Sequence, residues 1–230
     1  RTLAAVRAVP GVIAAGVTNW APLATAGSTF LEIEGRGDPG AGAGYRVVGE
    51  GYFAALAVPV IRGRDLTVTD DGNAQRVAVI SRAMADKFWP GEDPLGRRLR
   101  TPSMEVLPAG VPAPWLTIVG VVGDLRHWGY ETDVAPTVFV PWRQAPMWSQ
   151  ALTLVARSTA SAEVLAEAVR ERALAIDPAT PIDVAPLAAR ASQLIAPRRF
   201  TMGLLAAVGV LALGLAGIGV YGVLSLAVAQ

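Results

Sequence analysis

The side chains best equipped for chemistry are few. His127 is the sole histidine of the 230-residue chain, Lys87 is the sole lysine, and cysteine is absent. An imidazole acts as a general base when a nucleophile stands within reach. Asp124 precedes His127 and Trp128 follows it, yet no G-x-S-x-G elbow accompanies them anywhere in the chain. One histidine cannot build an H-E-x-x-H zinc helix, and a chain without thiols makes neither disulfides nor thiolate metal sites. His127 therefore reads as a turn histidine at the exit of a strand.

Residues 35–40, GRGDPG, match the G-x-G-x-x-G spacing that brings backbone amides to a pyrophosphate at a helix N-terminus. Pro39 lies inside the match and more glycines follow, so no helix opens there and a loop is expected. Lys87 follows Ala85 and Asp86, so no G-K-[ST] phosphate loop can form. Asp70-Asp71-Gly72-Asn73 resembles the start of a calcium loop but lacks the spaced carboxylates and closing Glu, which predicts an Asx-type turn. The expectation is a chain without catalytic residues, cofactor site or metal site.

Charge separates the chain into two parts. All 20 Lys and Arg and all 19 Asp and Glu precede residue 200, and the net charge of +1 gives no electrostatic reason to expect nucleic acid. Residues 200–230 carry no charge, and from Leu204 to Ala229 only Tyr221 and Ser225 have polar side-chain atoms. About 20 apolar residues span a bilayer as a helix, so this stretch is expected to cross one. At 100° per residue, Gly203, Ala207, Gly214, Gly217, Tyr221 and Ser225 share one side of that helix. Small residues on one stripe admit a second helix at close range, so the stripe is the candidate helix-packing site.

The remaining residues suffice for one large soluble domain or two lobes. Residues 2–9 predict a short helix stopped by Pro10-Gly11, and 12–17 a buried strand. Residues 30–34 alternate as a half-buried strand with Leu31 and Ile33 inward. Strands are expected at 45–48, 58–61 and 77–80, with a short helix over 50–56 and a helix capped by Ser81 that buries Met84, Ala85 and Phe88. Residues 101–114 predict a loop, 115–122 a central strand, and 137–140 and 152–157 further strands. Ser161 opens a helix that should bury Val164, Leu165, Ala168 and Val169, and a strand at 182–184 precedes a helix over 186–195. Without a regular βαβ rhythm, the class is α+β.

Several phrases coincide with a known family: EGYFAALAVPVIRGRDL, VAVISRAMADKFWPGEDPLGRRLR, IVGVVGDLRHWGYE, IDPATPIDV, and PRRF ahead of the apolar run. In that order they resemble an ABC-transporter permease subunit. More narrowly, the chain is similar to a MacB-like periplasmic core domain joined to the start of an FtsX-like permease domain, of the large type in which the unit occurs twice. The resemblance implies a two-lobed extracytoplasmic domain over 1–195, with a porter-like lobe at about 1–50 and 115–195 and an inserted lobe at about 51–114. It implies a transmembrane helix over 196–230, and so a piece lying between the first and second membrane helices of such a subunit. Implied partners are the inner membrane, a second permease copy or repeat, a separate ABC ATPase and a periplasmic protein, with energy coming from the ATPase. Two other readings compete with this one. The chain could be a membrane-anchored module binding a ligand or lipoprotein, or an anchored hydrolase using His127.

Overall fold

The computed structural model describes residues 2–22, 27–36, 42–105, 111–125, 134–176, 183–189, 208–209 and 212. The chain divides into two compact units, Arg1–Ala185 and Pro186–Gln230. In the first, α1 (Thr2–Arg7) leads through Gly11, at φ 86°, into β1 (Val12–Thr18). There follow β2 (Gly27–Phe30), β3 (Glu32–Ile33), β4 (Gly42–Val48), α2 (Tyr52–Ala55) and β5 (Val60–Gly63). Next come β6 (Val77–Ser81), α3 (Arg82–Phe88), β7 (Arg98–Arg100), β8 (Leu116–Val122), β9 (Thr137–Pro141), β10 (Thr153–Ser158) and α4 (Ala162–Ile176).

The strands form one ten-stranded sheet in the order β10-β1-β4-β9-β6-β8-β7-β3, with β2 on β4 and β5 on β8. Two parallel pairs, β4 with β9 and β6 with β8, meet where β6 and β9 run antiparallel through Val79↔Phe139 and Ile80↔Val138. The architecture is α+β, as the irregular rhythm predicts. β8 is interior, with β6 on one side and both β5 and β7 on the other.

β6 and β9 are buried at every position because both faces of the sheet are covered there. Ala78, Ile80, Val138 and Val140 join a core with Tyr45, Val47, Met84 and Leu116. Their neighbours Val77, Val79 and Phe139 join the opposite core with Val48, Tyr52, Phe53 and Val122. Close approach explains two glycines. A Cβ on Gly16 would collide with the backbone of Tyr52, which lets α2 lie directly on β1, and one on Gly120 would collide with the Arg64 carbonyl. Ser81 caps α3 as expected, its hydroxyl accepting from Met84 N–H at 3.2 Å.

Three expectations need correction, and one strand, β7, was not expected. Residues 30–34 are not one strand: the chain changes partner at Leu31, leaving β4 for β7, while Leu31 itself is buried. β7 escapes notice because Leu99 is its one apolar residue between two arginines. Val164, expected inside, is 63% exposed, and α4 has no buried residue. Asp183 and Val184 lie in irregular structure instead of a strand; residue 182 is outside the described residues.

In the second unit the described residues are helical at 187–189, 208–209 and 212. Among the described residues no helix is long and apolar enough to cross a membrane. The expected span over 196–230 lies, apart from 208, 209 and 212, outside them. So do all six residues of its stripe: Gly203, Ala207, Gly214, Gly217, Tyr221 and Ser225.

Candidate functional site

The residues singled out for chemistry are either outside the described set or occupied by the fold. His127 and Trp128 are outside it, whereas Asp124 Oδ1 accepts the Ala83 backbone N–H at 2.8 Å, serving the first turn of α3. Of residues 35–40, only Gly35 and Arg36 are described. Gly35 turns at φ 75°, and Arg36 donates to the Phe88 carbonyl and lies 5.7 Å over the Trp89 ring. The Asx turn at 70–73 is present, with Asp71 Oδ1 accepting from the N–H groups of Asn73 (2.9 Å) and Ala74 (3.1 Å).

Asp70 is the residue that a calcium reading would need, and its oxygens are already filled. Arg64 donates to both of them at 2.8 Å, and Oδ2 also accepts from Thr67 N–H at 2.8 Å and Thr67 Oγ1 at 3.1 Å. Burial pushes the Asp70 carboxyl up, but Arg64 and Thr67 outweigh it and hold it below the ordinary carboxylate range. Nearby Asp65 goes the other way, raised by burial. Among the described residues no three of His, Cys, Asp or Glu group as metal ligands.

The concentrated polar chemistry is instead a set of ionic fasteners between elements distant in sequence. Arg98 pairs with Glu34, and Arg100 with Glu32, across β7 and β3, while Trp115 lies under both guanidinium groups at 5.9 and 4.7 Å. The Arg98 partner lowers Glu34. A cleft of about 260 Å³ opens beside this ladder between Glu32, Arg100, Glu105 and Val111. Its charges are paired, Glu32 with Arg100 and Glu105 with Arg76, so among the described residues it presents no free acid or base. Arg7 and Arg143 converge on Glu50 at 3.9 and 3.4 Å. Inside β4, fully buried Arg46 donates to the Trp20 carbonyl at 2.5 Å. Burial raises the Tyr52 phenol, and the Arg46 charge pulls it part of the way back.

These fasteners were not visible in the sequence, because Arg7, Glu50 and Arg143 share no local pattern. The pairs that a sequence pattern does announce are the local helical ones, Arg82 with Asp86 and Glu167 with Arg170. The whole arrangement can hold elements in fixed register, and among the described residues it offers no nucleophile beside a base.

Residues 1–172 match the MacB-like periplasmic core domain family. The chain belongs to that family. A comparison with curated proteins finds no match. Among solved structures, the periplasmic region of MacB from Actinobacillus actinomycetemcomitans is similar at TM-score 0.52 and 15% identity, covering 76% of this chain and 72% of that one. At that identity the likeness concerns the fold alone. A domain of a putative permease from Porphyromonas gingivalis (TM-score 0.48, 23% identity, 74% and 67% covered) is also similar. So is the extracellular domain of the noncanonic ABC-type transporter YknZ from Gram-positive bacteria (0.47, 15%, 75% and 82%). In this MacB-like periplasmic core domain the family match runs through the whole sheet and into α4, and stops short of residue 196.

Proposed function

We propose that the chain is the extracytoplasmic part of an ABC-type permease and acts as a mechanical relay. Conformational change driven by ATP on a separate ATPase subunit passes through membrane helices into the domain, for export or signalling to a periplasmic protein. The observation that carries this reading is the family match over residues 1–172. A body of fasteners around a sheet buried on both faces is in keeping with it, since a relay must move as a unit.

In this reading residues 196–230 are a transmembrane helix opening an FtsX-like permease domain, and the Gly203 to Ser225 stripe packs on a neighbouring helix. Residues 1–195 lie outside the cytoplasm as a porter-like lobe with an inserted lobe, and the permease pairs with a second copy or repeat. The chain itself catalyses no reaction and holds no cofactor.

Sidedness provides the test. The chain has no cysteine, so an Ile13→Cys variant, at a position 62% exposed, carries a single reporter. A membrane-impermeant maleimide added to spheroplasts should label it without lysis. Labelling that appears only after the inner membrane is opened would overturn the extracytoplasmic placement.

A further inference from the structure

A relay needs a place where movement of its first helix enters the sheet, and one side chain stands at that place. α1 has six residues, too few to hold a helix unaided. It packs on β1 and α4 and fully buries Val6 alone. Arg7, at its end, is the only side chain of α1 with a hydrogen bond or ion pair among the described residues. Its Nε and Nη2 donate to the Ala15 carbonyl at 3.0 and 2.9 Å, and Nη2 donates to the Glu50 carbonyl at 2.6 Å. Nη1 lies 3.9 Å from Glu50 Oε1, and Arg143, just past β9, reaches Glu50 Oε2 at 3.4 Å.

One guanidinium thus ties α1 to β1 and to the turn before α2, and Glu50 carries the connection to the end of β9. Gly51 makes room for it. At φ 80°, a Cβ there would sit 2.6 Å from the Ala15 carbonyl oxygen and 2.9 Å from Arg7 Nη2. A planar fork bound to two carbonyls fixes direction as well as distance, which a lysine ammonium does not. We infer that Arg7 is a positioning residue that couples α1 to the sheet, with Glu50 as its keeper and Arg143 as a second clasp. The inference rests on the relay reading for its purpose, though the coupling itself can be measured apart from it.

Amide hydrogen exchange on the full chain in lipid nanodiscs measures the coupling. Arg7→Ala should speed exchange at Ala8 and Val9, whose amides close the end of α1, by about ten- to a hundredfold. Amides of β6 and β8 should be unchanged, and Arg7→Lys should recover only part of the loss. Unchanged exchange at Ala8 and Val9, or equal acceleration in β6 and β8, would overturn the latch. The relay is tested separately with a fluorophore on Arg62→Cys and an acceptor in the lipid headgroups of the assembled permease with its ATPase. A distance that changes between nucleotide-free and vanadate-trapped states with Arg7 present, and not with Arg7→Ala, is the expected result. The same change in both would overturn the latch as coupler; no change in either would overturn the relay and leave the exchange result standing.

Discussion

Asp70 shows how a single carboxylate is committed to the fold. It is buried, and four donor atoms from Arg64 and Thr67 face its two oxygens. Asp70→Asn should therefore lower stability at pH 7 by about 1–2 kcal/mol, the lower end for hydrogen bonds to a charged group because Arg64 is half in solvent. Since the folded carboxyl is held below its unfolded value of about 3.9, its contribution is complete above that value and is lost as pH falls through the folded one. The gap between wild type and Asp70→Asn in urea denaturation should thus close below about pH 4. Asp65, raised by burial, opposes folding at neutral pH and is relieved on acidification, which flattens the wild-type profile without reversing the gap. The turn at 70–73 was legible from residue types, because Asp and Asn bond their own backbone. The Arg64 partnership was not, since nothing in the sequence says which arginine reaches a given carboxylate.

Among the elements, apolar runs and caps told most. VAVI in β6 and VFV in β9 are unbroken apolar runs because both strands are covered on both faces, and Ser81 announced α3 by its type and place. Strands that depend on partners were harder to see: β7 is held by β8 and β3 and by its arginine pairs, so its own composition says little. Periodicity also overstated the burial of α4, because an apolar stripe states what a helix can bury, and its described neighbour α1 is too short to cover Val164 and Leu174 alike. Phe139 tests the two-sided sheet. It is fully buried and meets Phe53 edge to face at 5.0 Å. Phe139→Ala should cost about 3–5 kcal/mol, read as a lower urea midpoint at unchanged slope.

At the scale of the whole molecule, the α+β class and the family were both legible, the first from irregular rhythm and the second from phrases spread along the chain. The proposed helix-packing stripe is testable by crosslinking: in the assembled permease, Gly214→Cys or Gly217→Cys should form a disulfide crosslink to a cysteine placed on an adjoining membrane helix. Absence of a crosslink at both positions would remove the stripe as a packing face. The sheet also has a temporal consequence. β1 finds its main partner only in β10, where Val12 lies opposite Ser158, and β4 waits for β9. A ribosome must therefore deliver most of the domain before its earliest strand can be sealed. Such distant pairings make closure slow and leave bare edges during synthesis. Nascent chains halted before residue 153 should accordingly be the most aggregation-prone and the most dependent on holding chaperones.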